Sequence, residues 1–199
     1  MAPAVRLEPC TLEGTLVRLE PLAPSHLEGL CAVGLDPELW RLTVSKVATA
    51  ADMRRYVDAA LEAGREGTAL PFATVWRATG QVIGSTRFGN VALEHRRVEI
   101  GWTWLGRPWQ RSGANAEAKY LMLRQAFEAW DLVRVELKTS ALNQQSRGAM
   151  RKLGAVEEGV LRRHMINEDG SSRDSVFYSI LAEEWPAVKA GLEERLRAR

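Results

Sequence analysis

The sequence predicts one domain of the α+β (mixed α/β) class, built on a central, mostly antiparallel twisted sheet of about seven strands flanked by helices. Three features carry that expectation. Apolar residues alternate in seven short runs and recur at helical spacing in five others. Three of the alternating runs follow one another in mid-chain, and two more flank a polar turn, as antiparallel hairpins do. A length of 199 residues suits one sizeable core and is short for two domains.

In chain order, residues 15–22 alternate apolar and polar positions and stop at prolines, which suits a half-buried strand. Pro24 and Ser25 open a short helix carrying Leu27, Leu30, Cys31 and Val33 on one side, and a second helix is expected over residues 51–64. Residues 69–78 and 81–88 form a hairpin about Thr79 and Gly80, and residues 96–105 add a strand. Gly106, Arg107 and Pro108 end it. From Gly113 to Trp130 the residues Ala116, Tyr120, Leu123 and Phe127 mark one face of a long helix. Residues 132–138 alternate again, and Asn143 opens a helix that Gly154 stops. Residues 156–166 and 175–181 flank Asn167, Glu168, Asp169 and Gly170 as a closing hairpin, followed by a helix over residues 183–197.

With 46% apolar and 26% charged residues the chain has a globular composition. Its 27 basic residues nearly balance 25 acidic ones, a charge pattern that argues against nucleic acid as a partner. Cys10 and Cys31 lack metal-ligand spacing, and His26, His95 and His164 are scattered, so no metal is expected. No apolar run approaches a membrane span, and residues 1–9 lack the apolar stretch of a leader peptide, so the expected location is cytoplasmic, with no membrane partner.

The chemistry-bearing segment lies between the mid-chain strand and the long helix: Gln110, Arg111, Ser112, Gly113, Ala114 and Asn115. Glycine there permits a tight turn, helix-start amides converge, and the helix dipole adds roughly 0.3 to 2 kcal/mol for an anion. Arg107 and Arg111 place charge nearby. The segment has neither the lysine of a phosphate-binding NTPase loop nor the three glycines of a dinucleotide fingerprint.

Set behind Val98, Glu99, Ile100, Gly101 and Trp102, this turn resembles motif A of the GNAT superfamily of N-acetyltransferases, with Asn115 where Gly or Ala is usual. Asn143, Gln144, Gln145 and Ser146, followed by Lys152, Leu153, Gly154 and Ala155, resemble its motif B. Glu158 and Gly159 with Arg173, Asp174 and Tyr178 resemble its RimJ/RimL branch. The resemblance implies an acetyltransferase domain over residues 12–185, with residues 186–199 as a helix of the same domain. It implies acetyl-coenzyme A as co-substrate, held by residues 110–115 and Asn143 and Ser146, with Trp104 and Leu105 as the strand edge that pairs with the pantetheine arm and supplies an amide to the oxyanion.

An attacking amine must first lose a proton, and Glu99 resembles the glutamate that acts as base in the histone-acetylating branch. The tyrosine that many members place seven residues after the motif B asparagine is Met150 here, which leaves Ser146, and more distantly Tyr178, to protonate the departing thiolate. Neither cysteine has a histidine or lysine beside it in sequence, so direct transfer is favoured over a thioester enzyme intermediate. Trp40, Arg87, His95 and Trp102 are the candidate acceptor contacts. The branch implies a protein or peptide N-terminus as the amine; a small amine (polyamine, amino acid or aminoglycoside) and a non-catalytic acyl-coenzyme-A sensor are the alternatives. A polyamine or aminoglycoside needs an acidic cleft, for which Asp36, Glu38 and Asp52 are the available residues. The final helix, with Val188, Leu192 and Leu196 on one face, packs on its own sheet or in a homodimer.

Overall fold

The computed structural model describes residues 8–198. Part of the amino-terminal segment considered above as a leader, residues 1–7, lies outside them. The strands are β1 (Leu12–Glu13), β2 (Val17–Pro21), β3 (Leu70–Trp76), β4 (Gln81–Ala92), β5 (Arg97–Leu105), β6 (Arg134–Ser140), β7 (Val156–Ile166) and β8 (Ser172–Leu181). The helices are α1 (Leu27–Gly34), α2 (Ala50–Arg65), α3 (Ala114–Arg124), α4 (Gln144–Leu153) and α5 (Trp185–Arg197). One sheet of eight strands runs in the order β1-β2-β3-β4-β5-β6-β8-β7, and only β5 and β6 are parallel.

The eighth strand is β1, two residues that pair with β2 and are too short for an alternation to show. The long helix predicted over residues 113–130 is α-helical only to Arg124 and then widens to a π turn over Gln125–Ala129. Trp130 closes it by donating its amide to Gln125 O.

Strand alternation divides the core by face. Phe72, Phe88, Val98, Ile100, Val135, Leu137, Val176, Tyr178 and Ile180 share one cluster with Leu121 and Met122 of α3, Leu153 of α4 and Leu192 of α5. A smaller cluster joins Leu30, Trp40, Met53 and Tyr56 of the α1–α2 region to Ala73 and Trp104. Arg87, Glu99 and Trp102 belong to neither cluster, although β4 and β5 carry them between the core residues Phe88, Val98 and Ile100. The terminal helix packs at home: Trp185 lies on Tyr120 and Phe127, and Tyr120 donates to Glu193.

At the sheet's far edge β7 is exposed along nearly all its length, including Val156, Val160, Leu161 and Ile166. Register shifts at residues 157–159 and 161–165 interrupt its pairing with β8, and such bulges blunt an edge against further strands. The β7–β8 turn reaches back across the sheet. Glu168 accepts from Lys46 N at 2.7 Å, its own amide donates to Val44 O, and Asp169 pairs with Lys46. Among the described residues no helix is long and apolar enough to cross a membrane.

Helix α3 is tied to the sheet by buried Glu117, whose carboxylate accepts the amides of Thr15, Leu16 and Val17 at 2.7–2.8 Å. Gly14 makes room, since a Cβ there would sit 2.5 Å from the carboxylate. Replacing Glu117 with alanine strands three amides at once, so Glu117→Ala is expected to destabilise the fold by about 2–4 kcal/mol. A urea titration checks this as a lowered midpoint with an unchanged slope.

Candidate active site

Strand β5 pairs with β6 over only Arg97, Val98 and Glu99, opposite Arg134, Val135 and Glu136. Beyond that point the strands part. Both are followed by helices, so α3 and α4 start at the same end of the sheet, where the gap opens. Ligands of open sheets gather outside the carboxyl ends of such strands. The outer half of β5 carries an extra residue: Arg87 opposes Gly101 while Ser85 opposes Trp104, and Trp102 takes a left-handed φ of 50° to absorb it.

The outer carbonyls of β5 have partners other than β6. Tyr56 donates to Trp102 O at 3.2 Å, Thr103 Oγ1 to Gly101 O at 3.3 Å, and Gln110 Nε2 to Leu105 O at 3.2 Å. Gly106 donates its amide to Ile83 O on β4. By the alternation of an antiparallel ladder, the amide of Trp104 then faces β4 and that of Leu105 faces away, towards the gap. The edge therefore presents donors more than acceptors, which suits a ligand rich in carbonyls.

At the mouth of the gap Gly113 is the N-cap of α3 in the left-handed region, φ 99°, a conformation that favours glycine. Ser112 Oγ donates to Trp109 O and accepts from the Ala114 amide, while the Asn115 and Ala116 amides are helix-start donors with no intrahelical acceptor. This cluster, at the positive end of a buried helix, fits a phosphate group. Asn115 Oδ1 is buried without a partner and, being an acceptor, does not itself bind a phosphate. Arg107 adds less charge than its position suggests, because it is paired with Asp36.

One face of the gap carries Glu99, 3% exposed. Its Oε2 accepts from Lys138 Nζ at 2.7 Å and Asn90 Nδ2 at 2.5 Å, whereas Oε1 makes no hydrogen bond among the described residues and lies where a Cβ on Gly101 would come within 2.7 Å. The arginines near it in sequence are engaged elsewhere: Arg96 with Asp131, Arg97 with Glu136, and Arg87 between the rings of Tyr56 and Trp102. A cleft of about 330 Å³ adjoins this face, lined among others by Lys46, Asp52, Arg55, Tyr56, Arg87, Trp102 and Glu168.

At the start of α4, Asn143 is the N-cap and accepts the Ser146 amide at 3.0 Å. The Ser146 hydroxyl makes no protein hydrogen bond among the described residues, so it is not spent on the helix backbone. Tyr178 is fully buried, donates to Glu157 at 2.7 Å and accepts from Arg147, and burial followed by the Glu157 bond pushes its phenol up. Its proton is committed. Met150 packs against the core cluster.

Two expected acceptor contacts lie elsewhere. Trp40 is 2% exposed, donates to Gly34 O and stacks on Tyr56 and Trp104, so it supports the cleft without lining it. His95 is exposed on the turn between β4 and β5, at the opposite end of β5 from the gap. Of the acids, Asp36 is paired with Arg107 and Glu38 with Arg41. Asp52 lines the cleft but accepts the Ala48 and Thr49 amides and Arg55. Lys138, Asn90, Lys119 and Thr103 are contributors that sequence reasoning missed. Their partners are far away in sequence, and no local spacing signals them.

Fold and gap together define an acetyl-group-transferring domain type, and residues 17–156 match the model of the acetyltransferase (GNAT) domain. The chain belongs to that family. YdaF of Bacillus subtilis (strain 168), provisionally named a ribosomal N-acetyltransferase, is 30% identical over 110 residues. That match covers 55% of this chain and 59% of YdaF, less than two thirds of the relative's length. A structure from T. thermophilus, provisionally named an acetyltransferase, is 40% identical with a TM-score of 0.88, covering 96% of this chain and all of that one. Mycobacterium smegmatis RimJ, solved with CoA-disulfide, shares the fold at 24% identity and a TM-score of 0.80, covering 95% and 96%.

Lys119 of α3 lies beneath the bulge, 7% exposed, donating to Thr103 Oγ1 at 2.7 Å, which in turn contacts Thr86 Oγ1 at 2.7 Å. Burial drives its ammonium down to about 7, and the charge of Glu99 opposes that fall. In the unfolded chain the group holds its proton to about 10.4. Between those limits the unfolded state binds more protons, so this group makes stability rise with pH from about 7 to about 10. Chemical denaturation of wild type and Lys119→Met across that range is expected to show the rise in wild type and a flatter profile in the variant.

Proposed function

We propose that the chain transfers an acetyl group from acetyl-coenzyme A to a primary amine, with a protein or peptide N-terminus as acceptor, by direct attack within a ternary complex. The observation that carries this reading is the parting of β5 from β6 after Glu99, with the amide cluster of α3 at the mouth of the gap. The residues fit the co-substrate. The amides around Gly113 suit its pyrophosphate, and the outward amide of Leu105 suits a carbonyl of the pantetheine arm or of the thioester. The name of YdaF and the ligand of RimJ agree with that assignment.

In the transfer, the amine loses a proton, its nitrogen bonds to the thioester carbon, and the carbon–sulfur bond breaks to release a thiolate that takes up a proton. Glu99 is the proposed proton acceptor, because Oε1 is free while Lys138 and Asn90 fix the carboxylate through Oε2. Ser146 is the proposed donor to sulfur, its hydroxyl being free at the start of α4, and Tyr178 is less suited because its proton is held by Glu157. An enzyme thioester is disfavoured: burial pushes the Cys10 thiol up, and Cys31 packs against the α1–α2 cluster.

Release of free thiol from acetyl-coenzyme A in the presence of N-terminal peptides and of small amines tests the reading. Thiol release that depends on the amine supports it, and binding of acetyl-coenzyme A without release from any amine overturns it. Glu99→Gln is expected to lower kcat by about 10²-fold or more in the same thiol-release assay. Ser146→Ala is expected to lower kcat about tenfold while the dissociation constant for acetyl-coenzyme A, measured by calorimetry, stays within about twofold.

A further inference from the structure

Among the described residues, Arg87 is the one cation lining the cleft without a carboxylate. It is 6% exposed, its side chain makes no hydrogen bond or ion pair with them, and its Nε is buried without a partner. Its guanidinium is held by rings alone, with its carbon 5.1 Å from the centroid of Tyr56 and 5.0 Å from that of Trp102. The other two cations of the lining are already satisfied, Lys46 by Asp169 and Arg55 by Asp52. The acids of the lining are equally occupied: Asp52 takes the Ala48 and Thr49 amides as well as Arg55, and Glu168 takes the Lys46 amide. Rings stabilise a guanidinium but do not replace the water it gives up, so a desolvated arginine facing a cavity is a site suited to an anion.

The register relates Arg87 to the proposed base. Arg87 opposes Gly101, and Glu99 lies two residues back along β5 on the same face. The diagonal separation of such positions is about 7–8 Å between Cα atoms. Two strand positions this close lie within the span of one amino acid or short peptide. Building on the acetyltransferase reading, we propose that Arg87 receives a carboxylate of the acceptor, so that the amine substrate is an amino acid or a peptide with an acidic group next to its N-terminus. The planar guanidinium suits a carboxylate through two parallel hydrogen bonds.

The two sources of carboxylate are separated by two matched comparisons of kcat/KM with acetyl-coenzyme A and the full chain. Alanine against alaninamide reads an α-carboxylate, and Ser-Glu-Ala-amide against Ser-Gln-Ala-amide reads an acidic side chain. In at least one comparison the carboxylate is expected to be preferred by about tenfold to a hundredfold, the range of a charged hydrogen bond. Arg87→Gln is expected to bring that ratio close to one, and Arg87→Lys to keep part of it, with thermal unfolding verifying that both variants fold. Equal kcat/KM within both pairs for wild type, or a preference that survives Arg87→Gln, overturns the assignment. Should no amine release thiol, the acetyltransferase reading falls by itself. Calorimetry with the N-acetylated forms of the same four compounds then reads the contact directly. Tighter binding of a carboxylate form by wild type but not by Arg87→Gln sustains the assignment, and equal or absent binding overturns it.

Discussion

The early parting of β5 from β6 is the constraint on which the other features depend. Two adjacent parallel strands normally satisfy each other along their shared length, and here they do so for three residues only. The backbone groups left over must be accounted for. The carbonyls of Gly101, Trp102 and Leu105 are met by side chains from β5 itself, α2 and the turn before α3. The bulge at Trp102 then alters which way the outer residues point, so that Thr103 meets α3 while Trp104 packs with Trp40. A gap in a sheet would otherwise be an energetic defect. Here the carbonyls are satisfied internally, and the outward amide of Leu105 is left facing the gap.

The two faces of the sheet divide the proposed work. Glu99, Arg87 and Trp102 lie on the side of α1 and α2, with the cleft, whereas Tyr178 shares its cluster with α3, α4 and α5. Ser146 approaches from the start of α4. A proton acceptor and a proton donor placed on either side of one gap suit a reaction in which the nucleophile enters from one side and the leaving group departs from the other. The latch between the β7–β8 turn and the loop before α2 closes the cleft's outer wall through Glu168 and Lys46. It thereby sets the cleft's shape from two ends of the chain.

Most of this architecture was legible in the sequence, and the parts that were not share a cause. Alternation gave seven strands within a few residues, and it failed for β1 because two residues show no period. The turn at Gly113 was legible because a left-handed N-cap favours glycine in a way that leaves a local trace. Trp40 and His95 were misplaced because aromatic or polar character does not reveal which way a residue faces. The partners of Glu99 were equally hidden. Arginines close by in sequence offer the obvious pairing, but cross-strand geometry selects Lys138, 39 residues away, and Asn90. Long-range polar pairs depend on register, which no single stretch of sequence encodes.

Helix α3 shows why such pairs matter for the site. It buries two charged side chains two positions apart, Glu117 against the amides that precede and begin β2, and Lys119 against the bulge of β5. Between them they tie the helix to the start of β2 and to β5, two strands on the same side of the gap, while Met122 contacts Thr86 on β4. Apolar packing alone would tolerate a helix that slides or rotates slightly, because dispersion is non-directional. Directed contacts to backbone amides and to a threonine hydroxyl do not. The amide cluster at Gly113, proposed to meet a phosphate, needs its donors held within hydrogen-bond tolerance, and the helix that carries it is fixed by buried polar contacts, even at the cost of holding an ammonium where burial disfavours its charge.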